Sequence, residues 1–212
     1  MSNLICDMHI HTKYSCDSDI ELEAYCIEAI QKGLHAVCFT EHVDCNINDY
    51  GYEYYDANKF FDDFIFVKEK YNGKINLLCG IEFSEPHLYQ NQLSEYKKLP
   101  YDCILGSIHW WYKDMFISRM VKAGIPVEIC YENYWNEILA AVKFGGFDVL
   151  AHIDFPKRYY NKLIIDSDKL NEICNEMVRN NICLEINTSS LRKKSAEAMP
   201  DKEISQLSHI LK

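Results

Sequence analysis

No run of this sequence is apolar and long enough to cross a bilayer, and no basic segment followed by an apolar one stands near Met1. Neither a transmembrane helix nor a secretory leader is expected, and the cytosol is the expected location. The chain also lacks a basic surplus, since 22 Lys and Arg against 32 Asp and Glu leave a formal charge of −10. That balance argues against a broad nucleic-acid surface, though a local basic pocket could still receive a phosphate. Ten cysteines are present but no CxxC pair, and several lie in apolar segments. A disulfide framework and a structural zinc knot are therefore not expected, and the thiols read as small hydrophobes in a reducing compartment. Internal repeats, low-complexity tracts and flexible linkers are missing as well. A length of 212 residues, 48% hydrophobic and 25% charged, suits a single soluble domain over residues 1–212.

What is present is an alternation of apolar, β-branched runs with helix-like stretches, the pattern of a parallel sheet with crossover helices. Strands are expected at Leu4–His9, His35–Thr40, Ile75–Phe83, Asp102–His109, Asp148–Ile153 and Ile182–Asn187. Helices are expected at Ile20–Lys32, Ala57–Tyr71, Asn91–Lys97, Tyr131–Phe144, Asp168–Asn180 and Asp201–Leu211. Gly33, Gly73 and the Gly145-Gly146 pair fall where helix C-caps are wanted. Almost every strand delivers a polar residue at its C-terminal end: His9 and His11, Glu41-His42, Glu82, His109, His152 with Asp154, and Glu185 with Asn187. A barrel gathers all its strand ends around one mouth, whereas an open doubly wound sheet spreads them along a crevice. The barrel explains the pattern better.

Asp7-Met8-His9-Ile10-His11 carries the most chemistry. Residues two apart on a strand share a face, so the two imidazoles can grip one ion while Asp7 reaches it or orients a ligand. The alternative is a buried strand with chance polar residues, which would be costly without a metal or mutual pairing. Other polar positions read more blandly. His35 opens a strand at its far end and suits a structural or solvated role; His87 sits in a loop near a strand end or on the surface; His209 suits a solvent-facing helix position. Asp44 and Asp154, each two residues past a histidine, suit hydrogen bonding behind a ligand better than ligation. Arg158 and Arg192 lie just beyond strand ends, where they either clamp a phosphate bidentately or stand solvated. Trp110 and Trp111 either stack on a flat substrate ring or pack.

The segments DMHIHTKYSCDS, FTEHVD, LLCGIEFSE, LGSIHWW, LAHIDFPKRY and LEINTSSLR, running in order from residue 7 to 192, resemble the polymerase-and-histidinol-phosphatase (PHP) family, and within it the histidinol-phosphatase branch. The resemblance implies an α/β fold, a distorted (β/α)7 TIM-like barrel with a trinuclear metal centre at its C-terminal mouth. It implies that His9 and His11 hold a first ion, that Glu82 bridges it to a second ion also held by His109 and His152, and that Asp17 and His42 hold a third. Glu82, His109 and His152 thereby stand at the catalytic centre, while Arg158, Arg192 and Trp110 stand at the substrate. Imidazole and carboxylate without thiolate suit two or three divalent ions of Zn, Mn or Fe better than Ca or Mg.

The implied reaction is hydrolysis of L-histidinol phosphate to L-histidinol and phosphate in histidine biosynthesis, by a hydroxide that the ions activate, with a metal-bound or histidine-held proton assisting the leaving alkoxide. The implied partner is a small phosphorylated substrate, with no nucleic acid and no membrane. One departure is visible: the family's seventh strand, ending in an Asp-x-His pair, has no counterpart after Arg192. The expectation is a chain that lacks that strand relative to the family, with weaker metal retention as a result. Two alternatives accompany the main reading: a PHP-type phosphoesterase acting on another small phosphomonoester or phosphotyrosine, and a non-catalytic metal-binding module.

Overall fold

A computed structural model describes residues 5–111, 115–192 and 197–209. The first half of the chain runs β1 (Cys6–Ile10), α1 (Leu22–Gln31), β2 (Ala36–Val43), α2 (Ala57–Lys70), β3 (Asn76–Ser84), α3 (Gln90–Tyr96) and β4 (Cys103–Ser107). There follow a two-stranded hairpin of β5 (Trp110–Trp111) and β6 (Met115–Phe116), then α4 (Ile117–Lys122), α5 (Val127–Phe144), β7 (Val149–Leu150), α6 (Lys157–Tyr160), α7 (Ser167–Arg179), β8 (Cys183–Leu184), a 3-10 turn at Ser189–Arg192, and α8 (Lys202–His209). Each of the six expected strands and six expected helices has its counterpart. Only Leu4, Ile210 and Leu211, at the ends of two expected elements, lie outside the described residues.

The main sheet has the order β1-β2-β3-β4-β7-β8, and its β1/β2, β2/β3 and β7/β8 pairs are parallel. Strand order that follows chain order, with no reversal, is what a (β/α) barrel lays down; a doubly wound sheet would show a switch point. Missed by the pattern reading were the β5–β6 hairpin, α4, α6 and the 3-10 turn, pieces too short to show a period.

Two compact units divide the chain: residues 1–83 with 94–105, and residues 84–93 with 106–212. In the first, β2 is buried along nearly its whole length, and α1 and α2 lay apolar stripes at helical spacing, Leu22, Cys26 and Ala29 on one and Phe60, Phe64 and Val67 on the other. Phe60 stacks on Phe64 at 5.7 Å between centroids, and Phe64 meets Phe39 of β2 edge-on at 6.4 Å. Asp56 caps α2 by accepting the Asn58 and Lys59 N–H groups at 3.1 and 3.2 Å.

In the second unit α5 buries Tyr131, Tyr134, Trp135, Ile138 and Ala141, and α7 buries Leu170, Ile173, Cys174 and Met177, with Asp166 capping α7 through the Lys169 N–H at 2.9 Å. Helix α5 begins at Val127, four residues before the expected start, with Pro126 as its N-cap. All ten cysteines are free thiols, five of them buried. Among the described residues no helix is long and apolar enough to cross a membrane.

Candidate metal centre

Strands β2 and β3 pair in register, with His42 opposite Glu82. Parallel partners in register point to one face, so the ring and the carboxylate come together at the strand ends. The Glu82 side chain is 1% exposed, and its Oε2 lies 3.0 Å from His9 Nε2, 3.4 Å from His11 Nε2 and 3.4 Å from His42 Nδ1. Asp17, half exposed, stands 3.8 Å from His11 Nδ1 and 3.7 Å from His42 Nε2. Two triads thus present ligand atoms within 4.8 Å of one another, His9–His11–Glu82 and His11–Asp17–His42. Five of the seven ligands that the family resemblance implies are gathered in this unit.

Such packing shapes the charges. Burial, reinforced by the charge on His42, pushes the His11 pKa down to about 3. Burial also opposes a proton on His42, yet the carboxylates of Glu82, Asp17 and Asp44 outweigh it and hold that ring up at about 9. Burial opposes ionisation of Asp17 too, but hydrogen bonding to His42 and the charges of His11 and His42 pull its carboxyl below the usual range. These opposite shifts favour a proton on His42 over one on His11. A set of three imidazoles and two carboxylates aimed at one small volume fits a divalent ion of the zinc, manganese or iron type, which takes N and O donors together.

Asp7 does not join them. The β1/β2 register slips between Asp7 and Ile10, three residues of β1 spanning two of β2. This bulge breaks the two-residue period, leaving Asp7 exposed with its carboxylate accepting the His9 N–H at 3.3 Å. Asp44, buried, has Oδ2 3.9 Å from His42 Nδ1, in keeping with a supporting role.

The second unit holds His109 and His152, both buried, with ring centroids 5.2 Å apart. Ser84 Oγ lies 3.1 Å from His109 Nδ1, and Glu85 Oε1 accepts the N–H groups of His109 and Trp110 at 2.7 and 3.1 Å. Glu85 itself has φ +50, and His152 has φ +25, conformations that non-glycine residues hold only when surroundings impose them. For His152 the surroundings are Glu185, which accepts its N–H at 2.6 Å, and Tyr134, whose hydroxyl donates to its carbonyl at 3.4 Å. Asp154 is fully buried and accepts the Asp201 N–H at 2.9 Å, and burial raises its carboxyl to about 6.

One pattern escaped the sequence reading. Glu41, Glu85 and Glu185 are each placed so that a carboxylate takes a backbone N–H at or beside a candidate ligand: Thr12, His109 and His152 respectively. Glu41, buried, also accepts from Thr12 Oγ1 at 2.7 Å and from Ser15 Oγ at 2.6 Å; burial pushes its carboxyl up against those bonds. Strand-end position was the available signal for Glu41 and Glu185, but nothing in sequence separates a carboxylate that holds a loop from one that holds an ion.

Arg158 and Arg192 are both exposed, and Arg158 Nη2 reaches Ser189 Oγ at 3.5 Å, on the turn that carries Arg192. Arg158 also covers the Phe155 ring at 5.0 Å. The stacking role expected for Trp110 is corrected. Its ring is 1% exposed, edge-on to Phe116 at 5.8 Å and covered by Arg119 at 5.5 Å, so it packs and offers no face to a ligand. His87 is neither solvated nor bare, since its Nε2 pairs with Glu137 of α5 at 2.7 Å. His35 is structural, its Nδ1 accepting the Ile5 N–H at 3.1 Å. The side chain of His209 lies outside the described residues.

Residues 7–189 match the model of the PHP domain. A protein of Clostridium acetobutylicum named "Probable histidinol-phosphatase" is 30% identical over 202 residues, which cover 90% of this chain and 76% of that protein. The histidinol-phosphatase of Lactococcus lactis is 24% identical over 86% of this chain and 71% of its own. Among solved structures, the histidinol phosphate phosphatase of Lactococcus lactis, complexed with zinc, L-histidinol and phosphate, superposes with a TM-score of 0.74 at 21% identity, covering 98% of this chain and 79% of that one. The HisK structure of Listeria monocytogenes gives 0.82 at 17% identity, covering 97% and 91%. At those identities the superpositions establish the fold.

Proposed function

The chain belongs to the PHP domain family, and we propose that it is a metal-dependent phosphoric monoester hydrolase that converts L-histidinol phosphate to L-histidinol and phosphate. The observation that carries this reading is the convergence of His9, His11 and His42 on one Glu82 oxygen, within 3.4 Å. A relative of the same fold holds zinc, L-histidinol and phosphate together, which supplies the substrate class.

In this reading His9, His11 and Glu82 hold one ion and Asp17 and His42 another, His109 and His152 are a further candidate pair of ligands, and the chain is one PHP domain in the cytosol. Bound divalent ions lower the pKa of water and neutralise phosphoryl oxygens. The chain's own residues supply the rest. Arg158 and Arg192 bind the phosphate, since guanidinium forks match phosphoryl oxygens. An imidazole within reach of the leaving oxygen returns a proton to it. The leaving group is small and the partner a metabolite, not a nucleic acid or a membrane.

The test is phosphate release from L-histidinol phosphate by the full chain loaded with zinc or manganese, against a phosphotyrosine peptide and a nucleoside monophosphate. Preference for L-histidinol phosphate is expected. Equal or better turnover of another ester would reassign the substrate, and metal uptake without turnover of any of them would leave a binding module.

A further inference from the structure

Ser15 sits where two candidate ligands and one buried carboxylate meet, and its single proton can go to only one of them. Its Oγ is 2.6 Å from Glu41 Oε2, 2.9 Å from the backbone N of His42 and 3.3 Å from His11 Nδ1. Backbone N–H of His42 can only donate. Glu41 is ringed by donors, taking Thr12 N–H at 2.9 Å and Thr12 Oγ1 at 2.7 Å besides Ser15, so the Ser15 proton goes to it. A hydroxyl has one proton and two lone pairs. With one lone pair taken by His42 N–H, the other faces His11, and the arrangement is satisfied only if Nδ1 brings a proton.

Resting on the reading of this cluster as a metal site, we propose that Ser15, itself oriented by Glu41, is a positioning residue that fixes the ring proton of His11 on Nδ1 and so presents Nε2 to the cation. His11 Nε2 is the nitrogen that lies 3.4 Å from Glu82 Oε2, the side on which an ion would be shared. Asp17 Oδ1, 3.8 Å from Nδ1, favours the same placement of the proton. Neither Ser15 nor Glu41 is exposed to solvent, so bulk water does not stand in for either group. The opposite tautomer would set a bare Nδ1 against a serine lone pair. Were Glu41 protonated on Oε2, the bonds would run the other way and Nδ1 would be bare; the tautomer therefore reports on the whole relay. The hydrogen bond behind a ligand histidine commonly decides which nitrogen binds metal.

The experiment is ring-nitrogen NMR on the full chain, metal-free and loaded with zinc, paired with zinc titrations of the wild type, Ser15→Ala and Glu41→Gln. In the wild type the His11 proton is expected on Nδ1 in both states, with Nε2 shifting when zinc binds. Ser15→Ala should release the Nδ1–H and weaken zinc binding about ten- to a hundredfold. Glu41→Gln should largely keep both, because an amide oxygen can still accept from Ser15 and Thr12 while its NH2 donates to Thr12 Oγ1. A bare Nδ1 in the wild type, zinc bound through Nδ1, or a Ser15→Ala chain with unchanged ring signals and affinity would overturn the proposal. Should Ser15→Ala fail to fold, the wild-type spectra still decide. A chain that takes up no zinc yet keeps its proton on Nδ1 would defeat the metal reading and leave the role of Ser15 standing.

Discussion

His42 and Glu82 are register partners on β2 and β3, and Nδ1 of one stands 3.4 Å from Oε2 of the other. The same carboxylate oxygen lies 3.0 Å from His9 and 3.4 Å from His11. One buried oxygen with three imidazoles around it is the centre of the unit's electrostatics, and removing its charge should be felt by all three rings.

Glu82→Gln is accordingly expected to lower metal content and to cut kcat for L-histidinol phosphate by two orders of magnitude or more, of the order seen when a charge-stabilising group is lost. Metal analysis of the purified variant beside steady-state kinetics checks this. Full metal content with undiminished turnover would contradict a role for Glu82 in holding metal.

Metal uptake should depend on pH in a definite direction. His42 is held up at about 9 where no ion is bound, so an ion that uses this ring must displace its proton near neutrality. Apparent zinc affinity should therefore rise from pH 7 toward about 9 and level off above it, with proton release on binding that fades over the same range. His11, pushed down to about 3, is already neutral and releases none. Calorimetry in buffers of different protonation enthalpy measures the release directly, and a pH-independent affinity between 7 and 9 would rule out His42 as a ligand.

Gly51 is a steric test of the support behind His42. A Cβ built there would come within 2.3 Å of Asp44 Oδ2 and 3.0 Å of Cys16 Sγ. Asp44 is buried and its short side chain has little room to yield, so Gly51→Ala should cost about 1–3 kcal/mol of stability, as overpacking does, and should loosen metal binding. Thermal denaturation and zinc titration of the variant give both quantities; a variant as stable as the wild type would show that the loop carrying Gly51 shifts freely.

Arg158→Ala and Arg192→Ala should act mainly on binding. Both arginines are exposed and belong to neighbouring segments joined through Ser189, so each loss should raise KM for a phosphate ester about tenfold or more, with a smaller effect on kcat. Full saturation kinetics separate the two constants, and a loss confined to kcat would place these residues at the transition state instead.

Much of this was legible in the sequence because it is periodic. Apolar runs of the right length located the six strands of the main sheet and all six expected helices, and polar residues at strand ends offered His9, His11, His42, Glu82, His109 and His152 as candidates. Period fails where an element is short or irregular. The β5–β6 hairpin and α4 are too brief to repeat, and a bulge in β1 took Asp7 off the face that strict alternation assigned it.

By itself the sequence determined the order of the main strands and the helices between them, the family, and which residues are candidates to bind an ion, since these depend on local pattern and residue chemistry. Tertiary structure decided which carboxylates face histidines and which hold backbone. Glu82 turns toward three imidazoles, whereas Glu41, Glu85 and Glu185, indistinguishable in composition, each accept a backbone N–H at or beside a candidate ligand, Glu41 two hydroxyls as well. It decided, too, that Trp110 is core and not a substrate platform. The reason is physical: hydrogen-bond and burial partners lie tens of residues apart in the chain, and only strand register and packing bring a given donor to a given acceptor.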